Sequence, residues 1–203
     1  MFWDIVSPFY DLFGLLVSRR VYRELGDIIA REIQPCDTVL ECACGTGAIS
    51  VRTAPVCRHL FATDVSAGMR RQTRRKCRRF PNVTVRAADI EDLKLSSNSF
   101  DKVIAGNVIH LVKNPEKAVN ELLRVCRHGG RVIIPTYINA DTTASNAKIR
   151  ILPRLLAAAG VRFESEFDAQ SYPEFFRNIG CGSVRYEIVG GRFPCMAAII
   201  TKQ

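Results

Sequence analysis

The chain has 203 residues, 47% of them hydrophobic, enough for one well-filled α/β domain and little more. Its net charge is +9, and the run from Arg70 to Arg79 supplies seven basic residues and no acid, so the basicity is local. No apolar run approaches the roughly 20 residues that span a bilayer, and Asp4 and Asp11 stand where a secretory leader carries basic residues, so the chain is expected to stay in the cytoplasm.

Residues 1–34 hold much of the chain's aromatic weight. Pro8 breaks this segment, which predicts a short helix or turn, a helix from about Tyr10 and another up to Ile33, ended by Pro35. The segment reads as a helical lid or as a cap on the core. Thr38 to Cys42 is predicted as a short buried strand, followed by the turn Gly45-Thr46-Gly47 and a helix entered through Ala48 and Ile49 that runs to about Val56. A glycine-rich strand-to-helix turn presents bare N–H groups to a ligand, and the helix N-terminus adds a partial positive field. Ser50 stands where a dinucleotide fingerprint wants its third glycine, which points to a different nucleotide-type ligand.

His59 to Thr63 is the second predicted strand and ends in Asp64, 17 residues past Gly47. An acid there is placed to accept from both ribose hydroxyls of a nucleoside, or else to cap the next helix. Ser66 is the expected cap of that helix, which contains Met69 and the arginine run and stops at Pro81. The run fits a solvated face, or a surface for nucleic acid or an anionic membrane.

Val83 to Ala87 is a third strand, with Asp89 and Ile90 behind it, and Phe100 to Gly106 a fourth, followed by Asn107. Pro115 opens a helix that Gly129-Gly130 is expected to end, and Arg131 to Tyr137 is a fifth strand. Strands alternating with helices imply right-handed crossovers and a parallel sheet, whose ligands sit beyond the carboxyl ends of the strands. Gly45, Asp64, Asp89 and Asn107 all fall there, a convergence that points to a nucleoside site.

The tail predicts two helices or one kinked helix over 143–159, a short helix from Tyr172 to Ile179 ending at Gly180, and two antiparallel strands, Val184 to Val189 and Phe193 to Thr201, joined by a tight turn. The eight cysteines are scattered, and Cys42-x-Cys44 has no second pair or histidine cluster, so reduced, mostly buried thiols are expected and no metal site.

Taken together, Val39-Leu-Glu-x-x-x-Gly-Thr-Gly, Ala62-Thr-Asp-Val-Ser-x-x-Met69, Ala88-Asp-Ile90, Phe100-Asp-x-Val and Leu123-Arg-Val-x-Arg-x-Gly-Gly-Arg-Val make the chain resemble a class I S-adenosylmethionine-dependent methyltransferase of the ubiquinone/menaquinone branch. The resemblance covers about residues 8–202. It implies a single domain over 1–203 with a Rossmann-like fold: a mostly parallel seven-stranded sheet, helices on both faces, a C-terminal antiparallel hairpin, a lid over 1–34 and a substrate-side segment over 138–180.

By the same resemblance Glu41 and the loop Gly45, Thr46 and Gly47 hold the methionine part of S-adenosylmethionine, Asp64 the ribose, Val65 and Met69 the adenine face, and Asp89 with Ile90 its edge. Asn107 lies beside the sulfonium and Tyr10 closes over the cofactor. The chain departs from the family pattern in Ala43-Cys44, where Gly-Cys is usual, and in Glu41, where Asp is commoner.

A sulfonium already makes its methyl electrophilic, so such a site must hold a nucleophile in line and exclude water, with a base only where the acceptor loses a proton. His110 and Tyr137 are the candidates. The expected acceptor is a small metabolite, a quinone-like ring or a lipid head group. Nucleic acid is disfavoured, because Asn107-Val-Ile-His110 stands where an amino-methyltransferase carries Asn/Asp-Pro-Pro-Tyr. Two rival readings remain at this point, an NAD-dependent dehydrogenase, in which Asp89 would have no role, and a nucleoside-binding module without turnover.

Overall fold

The computed structural model describes residues 3, 4, 7, 10–139, 164–191 and 194–203, with the side chains of 10–19 outside the description. The predicted helix over 143–159 and the Tyr10 ring therefore lie outside the described residues. The first full element is one helix, α1 (Tyr10–Arg31), where the sequence suggested two. Val21, Leu25, Ile28 and Ile29 recur at helical spacing and are buried, so a single apolar stripe docks the second half of the helix.

Strand β1 (Thr38–Cys42) is followed by the loop and a helix, α2 (Ser50–Thr53), shorter than predicted and continued by a 3-10 turn over Ala54–Val56. Pro55 has no N–H to continue the α ladder. Strand β2 (His59–Thr63) leads to α3 (Ala67–Cys77), whose cap is Ser66: the hydroxyl accepts from Met69 N–H at 3.1 Å, as expected. Arg78 and Arg79 lie past the end of this helix. Strands β3 (Val83–Arg86) and β4 (Phe100–Ala105) each stop slightly before their predicted ends. Helix α4 (Pro115–Val125) is capped by Asn114 and gives way directly to β5 (Cys126–Tyr137). Gly129-Gly130 thus lie within the extended strand and do not end the helix, and the register with β4 slips between Phe100 and Lys102.

Helix α5 (Ser171–Ile179) ends at the left-handed Gly180, as its sequence suggested. Strands β6 (Val184–Val189) and β7 (Cys195–Thr201) close the chain; β7 begins at Cys195, and the expected strand start at Phe193 lies outside the described residues.

The seven strands form one sheet in the order β3-β2-β1-β4-β5-β7-β6. The first five are parallel, and β7 runs antiparallel to both β5 and β6. Helices cover both faces, which is why β1, β4 and β7 are nearly continuous buried runs without alternation. One half of the core packs α4 and α5 on the sheet through Leu122, Tyr172 and Phe176; the other packs α1 through Leu25 and Ile29. The strand order reverses between β1 and β4, and that switch point is where a sheet of this kind opens a ligand crevice. All eight cysteines are free, six of them buried.

Candidate cofactor and acceptor site

The loop after β1 stands at the switch point and is shaped by its backbone. Gly45 (φ 54°) and Gly47 (φ 84°) take left-handed conformations, and a side chain on Gly47 would come within 3.2 Å of the Thr73 backbone. The loop therefore packs directly on α3, where Thr73 Oγ1 donates to Gly45 O at 2.7 Å and Lys76 Nζ donates to Thr46 Oγ1 at 3.2 Å. Ala43 sits at φ 52° with a side chain that this region penalises.

Two buried carboxyls flank the loop. Asp64, at the end of β2, accepts from Gly45 N–H at 2.9 Å through Oδ2 and from Ser66 N–H at 2.8 Å through Oδ1. Burial raises its pKa, against the backbone hydrogen bonds that lower it. Each of its oxygens keeps a lone pair for a further donor. Glu41, on β1, is 2% exposed and accepts from Ser50 Oγ at 2.6 Å; burial pushes its carboxyl up to about 8.

Val65, directly after Asp64, is one of two large hydrophobic residues left exposed among the described ones, at 44%. Met69 and Ile90 are both buried, so of the three apolar side chains expected around adenine only Val65 is exposed. Asp89 is exposed, with Oδ1 accepting from Glu91 N–H at 2.9 Å.

On the far side of β1, Asn107 follows β4 in a left-handed conformation (φ 52°) that asparagine tolerates. Its N–H donates to Pro135 O at 2.8 Å, and its Oδ1 accepts from Cys195 Sγ at 3.7 Å. His110 is buried, with Nδ1 2.7 Å from Thr136 Oγ1, and its ring meets Tyr137 edge-on at 6.4 Å between centroids. Burial lowers the His110 pKa to about 4, so the imidazole is neutral at pH 7. The backbone N–H groups of Glu164 and Ser165 both donate to His110 O.

Several residues of this region escaped the sequence reading. By sequence Ser50 stands out only as a missing glycine. Thr73 and Lys76 lay hidden in the arginine run, although Met69, Thr73 and Cys77 recur every four residues and mark the inward face of α3. Asp4 also belongs here, because its Oδ1 accepts from Ser66 Oγ and from Gly68 N–H, each at 2.7 Å, and Gly68 leaves room for this approach. No sequence pattern pairs residues so far apart.

A methyltransferase domain model matches residues 40–134. The chain is 31% identical over 173 residues to the demethylmenaquinone methyltransferase of Paenarthrobacter aurescens, covering 84% of this chain and 67% of that one. The chain belongs to the class I S-adenosylmethionine-dependent methyltransferases of the ubiquinone/menaquinone branch. A second demethylmenaquinone methyltransferase, from Clavibacter sepedonicus, is 34% identical over 134 residues, covering 65% of this chain and 55% of its own length. The chain thus spans about half to two thirds of the length of these relatives. A chain of the complex between the Haloferax volcanii Trm112 methyltransferase activator and a methyltransferase superposes with a TM-score of 0.75 at 15% identity, over 99% of this chain and 98% of that one, which shows the shared fold.

The methyltransferase family fixes the cofactor as S-adenosylmethionine, and the residues present fit it. A carboxylate with free lone pairs lies beside an exposed apolar Val65, a bare-backbone loop follows β1, and a buried acid has no cationic partner among the described residues. The dehydrogenase reading falls with this assignment.

Proposed function

We propose that this methyltransferase acts on a small quinone-like acceptor, with Asp64 accepting from the ribose hydroxyls, the loop from Gly45 to Gly47 and Glu41 holding the amino-acid end, and Val65 lying against the adenine. The observation that carries the acceptor class is the 31% identity to a demethylmenaquinone methyltransferase over most of the chain. S-adenosylmethionine, when bound, supplies a methyl group made electrophilic by the sulfonium. Asn107 then stands at the β4 end of the crevice as a polar neighbour of the reacting groups, in a conformation held by Pro135. His110, neutral and fixed by Thr136, is in the form that accepts a proton from a hydroxylated ring, and Tyr137 is the second candidate for that step. The N-terminal segment and the residues from 138 to 180 form the acceptor's cover, a reading supported by the contacts of Asp4 with α3 and of Glu164 with His110.

The exposed arginines 71, 74, 75, 78 and 79 lie on α3 and just past its end, with no acid on the helix. A quinone-like acceptor is lipophilic, so this face is proposed to touch an anionic membrane, at about 1 kcal/mol per basic residue near the surface. Among the described residues no helix is long and apolar enough to cross one.

The test is a transfer assay with labelled S-adenosylmethionine and reduced naphthoquinone and benzoquinone acceptors, with and without anionic vesicles. Label should appear on the ring carbon, and more of it when vesicles of phosphatidylglycerol present the acceptor. Tight cofactor binding without transfer to any quinol would remove the acceptor class.

A further inference from the structure

Ser50 is the first residue of α2 and is fully buried, yet its hydroxyl does not cap the helix. It is committed instead to Glu41, across the loop that joins β1 to α2, at 2.6 Å. The ionisable groups that face Glu41 are Asp64 from the end of β2, Cys42 and Cys44 from its own strand and loop, and Cys77 from α3. None is a cation, and burial raises all three thiols above their ordinary range, so they stay neutral. Lys76, the base that reaches the loop, hydrogen-bonds to Thr46. A second carboxylate, Asp64, opposes ionisation of the first. A buried acid in this setting is stable with its proton and lacks only a positive charge to release it.

Resting on the cofactor assignment above, we propose that Ser50 is a positioning residue that holds the Glu41 carboxyl for the ligand's ammonium group, and that cofactor binding releases one proton from Glu41 to solvent. The ammonium arrives with its own proton, the O–H bond of Glu41 breaks, and a carboxylate–ammonium pair is left in place of two separated groups. The free carboxyl, held near 8, keeps its proton at pH 7, so binding draws on the minority carboxylate form. Affinity therefore rises with pH up to about 8, by about tenfold per unit where one proton is released. The direction follows from linkage: the free protein binds more protons than the complex, so raising the pH favours the complex.

The test is calorimetry with S-adenosylhomocysteine, which carries the same amino-acid end, from pH 6 to 8 in buffers of different ionisation enthalpy. The parent should release close to one proton at pH 7 and gain affinity about tenfold per unit at the acid end, following the linkage slope. Glu41→Gln, nearly the same size, should release none and bind with a flat pH profile. Ser50→Ala should still release the proton, but with its pH range moved upward, because the hydroxyl that favours the ionised form is gone. A Ser50 that only packs the loop would lower affinity equally at every pH. Proton release unchanged in Glu41→Gln, or a flat profile in the parent, overturns the proposal alone; a parent that does not bind S-adenosylhomocysteine overturns the cofactor assignment with it.

Discussion

Asp64 Oδ2 accepts the Gly45 N–H at 2.9 Å, which ties the end of β2 to the loop that follows β1. The other oxygen of the same carboxylate accepts from Ser66 N–H at the start of α3, so one buried side chain joins the two turns between which a nucleoside is expected to lie. The turns are thus held in shape by the group proposed to accept from the ribose. Loss of Asp64 should therefore act twice.

In Asp64→Ala, the charge-assisted bonds at risk are worth about 1.5 to 3 kcal/mol each. Cofactor affinity should fall by more than tenfold, and the melting temperature should fall as well, because Gly45 and Ser66 lose their acceptor. Titration calorimetry and a thermal melt on the same sample check both. A dissociation constant within threefold of the parent would sink the ribose assignment.

Ala43 occupies a left-handed position at φ 52°, a conformation that glycine adopts without steric penalty. An L-residue there costs about 1 to 2 kcal/mol, and glycine returns part of it as extra freedom of the unfolded chain, about 0.4 to 1 kcal/mol. Ala43→Gly should stabilise the fold by about 0 to 1.6 kcal/mol, the difference of those two terms. Urea denaturation measures it. A midpoint that moves down would mean that the alanine methyl has a packing role.

His110 gives a pH signature. Its folded value is lowered from 6.5 to about 4 by burial, so between those values the unfolded chain takes up a proton that the native state refuses. Its contribution is complete above pH 6.5 and is lost as the pH falls toward 4, by on the order of 3 kcal/mol. His110→Gln should be less sensitive than the parent across this window. Denaturant melts of both proteins at pH 7 and pH 4.5 give the difference, and identical losses would place His110 in contact with water.

Gly68 lets the N-terminal segment reach α3: a side chain there would sit 2.7 Å from Ser7 Oγ and 3.0 Å from the Asp4 backbone. Gly68→Ala should push this segment away and break the Asp4 contacts with Ser66 and Gly68. In hydrogen exchange the parent should gain protection over residues 1 to 20 when S-adenosylhomocysteine is added, as a lid does. The variant should show little gain. Equal protection in the parent with and without ligand would make the segment a permanent cap.

The sheet and its crevice were largely legible in the chain itself. Apolar runs of strand length at Thr38–Cys42, His59–Thr63 and Phe100–Ala105, each closed by a polar or glycine-rich turn, carry a local signal that does not depend on partners. The misses follow one rule. Pro35 bounded α1 on its C-terminal side, with the helix ending at Arg31, two residues before the expected Ile33, but whether its halves formed one helix depended on docking against the sheet. Gly129-Gly130 looked like a helix end because glycine is read locally, yet pairing of Cys126 with Phe100 draws the chain into strand before it gets there.

What the amino-acid order determined alone is the alternation of elements, the caps at Ser66 and Gly180, and the set of strand ends at which Gly45, Asp64, Asp89 and Asn107 stand. These depend on side-chain period, turn chemistry and capping, which act within a few residues. Tertiary structure decided which of those ends face a buried environment and with whom. Only the folded chain brings Ser50 to Glu41, Thr73 to Gly45, Thr136 to His110 and Asp4 to Ser66, because these pairs are separated by a loop or more and meet when the sheet closes. The same burial removes water from Glu41 and His110 and moves their protons in opposite directions, since desolvation disfavours the charged form of each, the carboxylate in one and the imidazolium in the other.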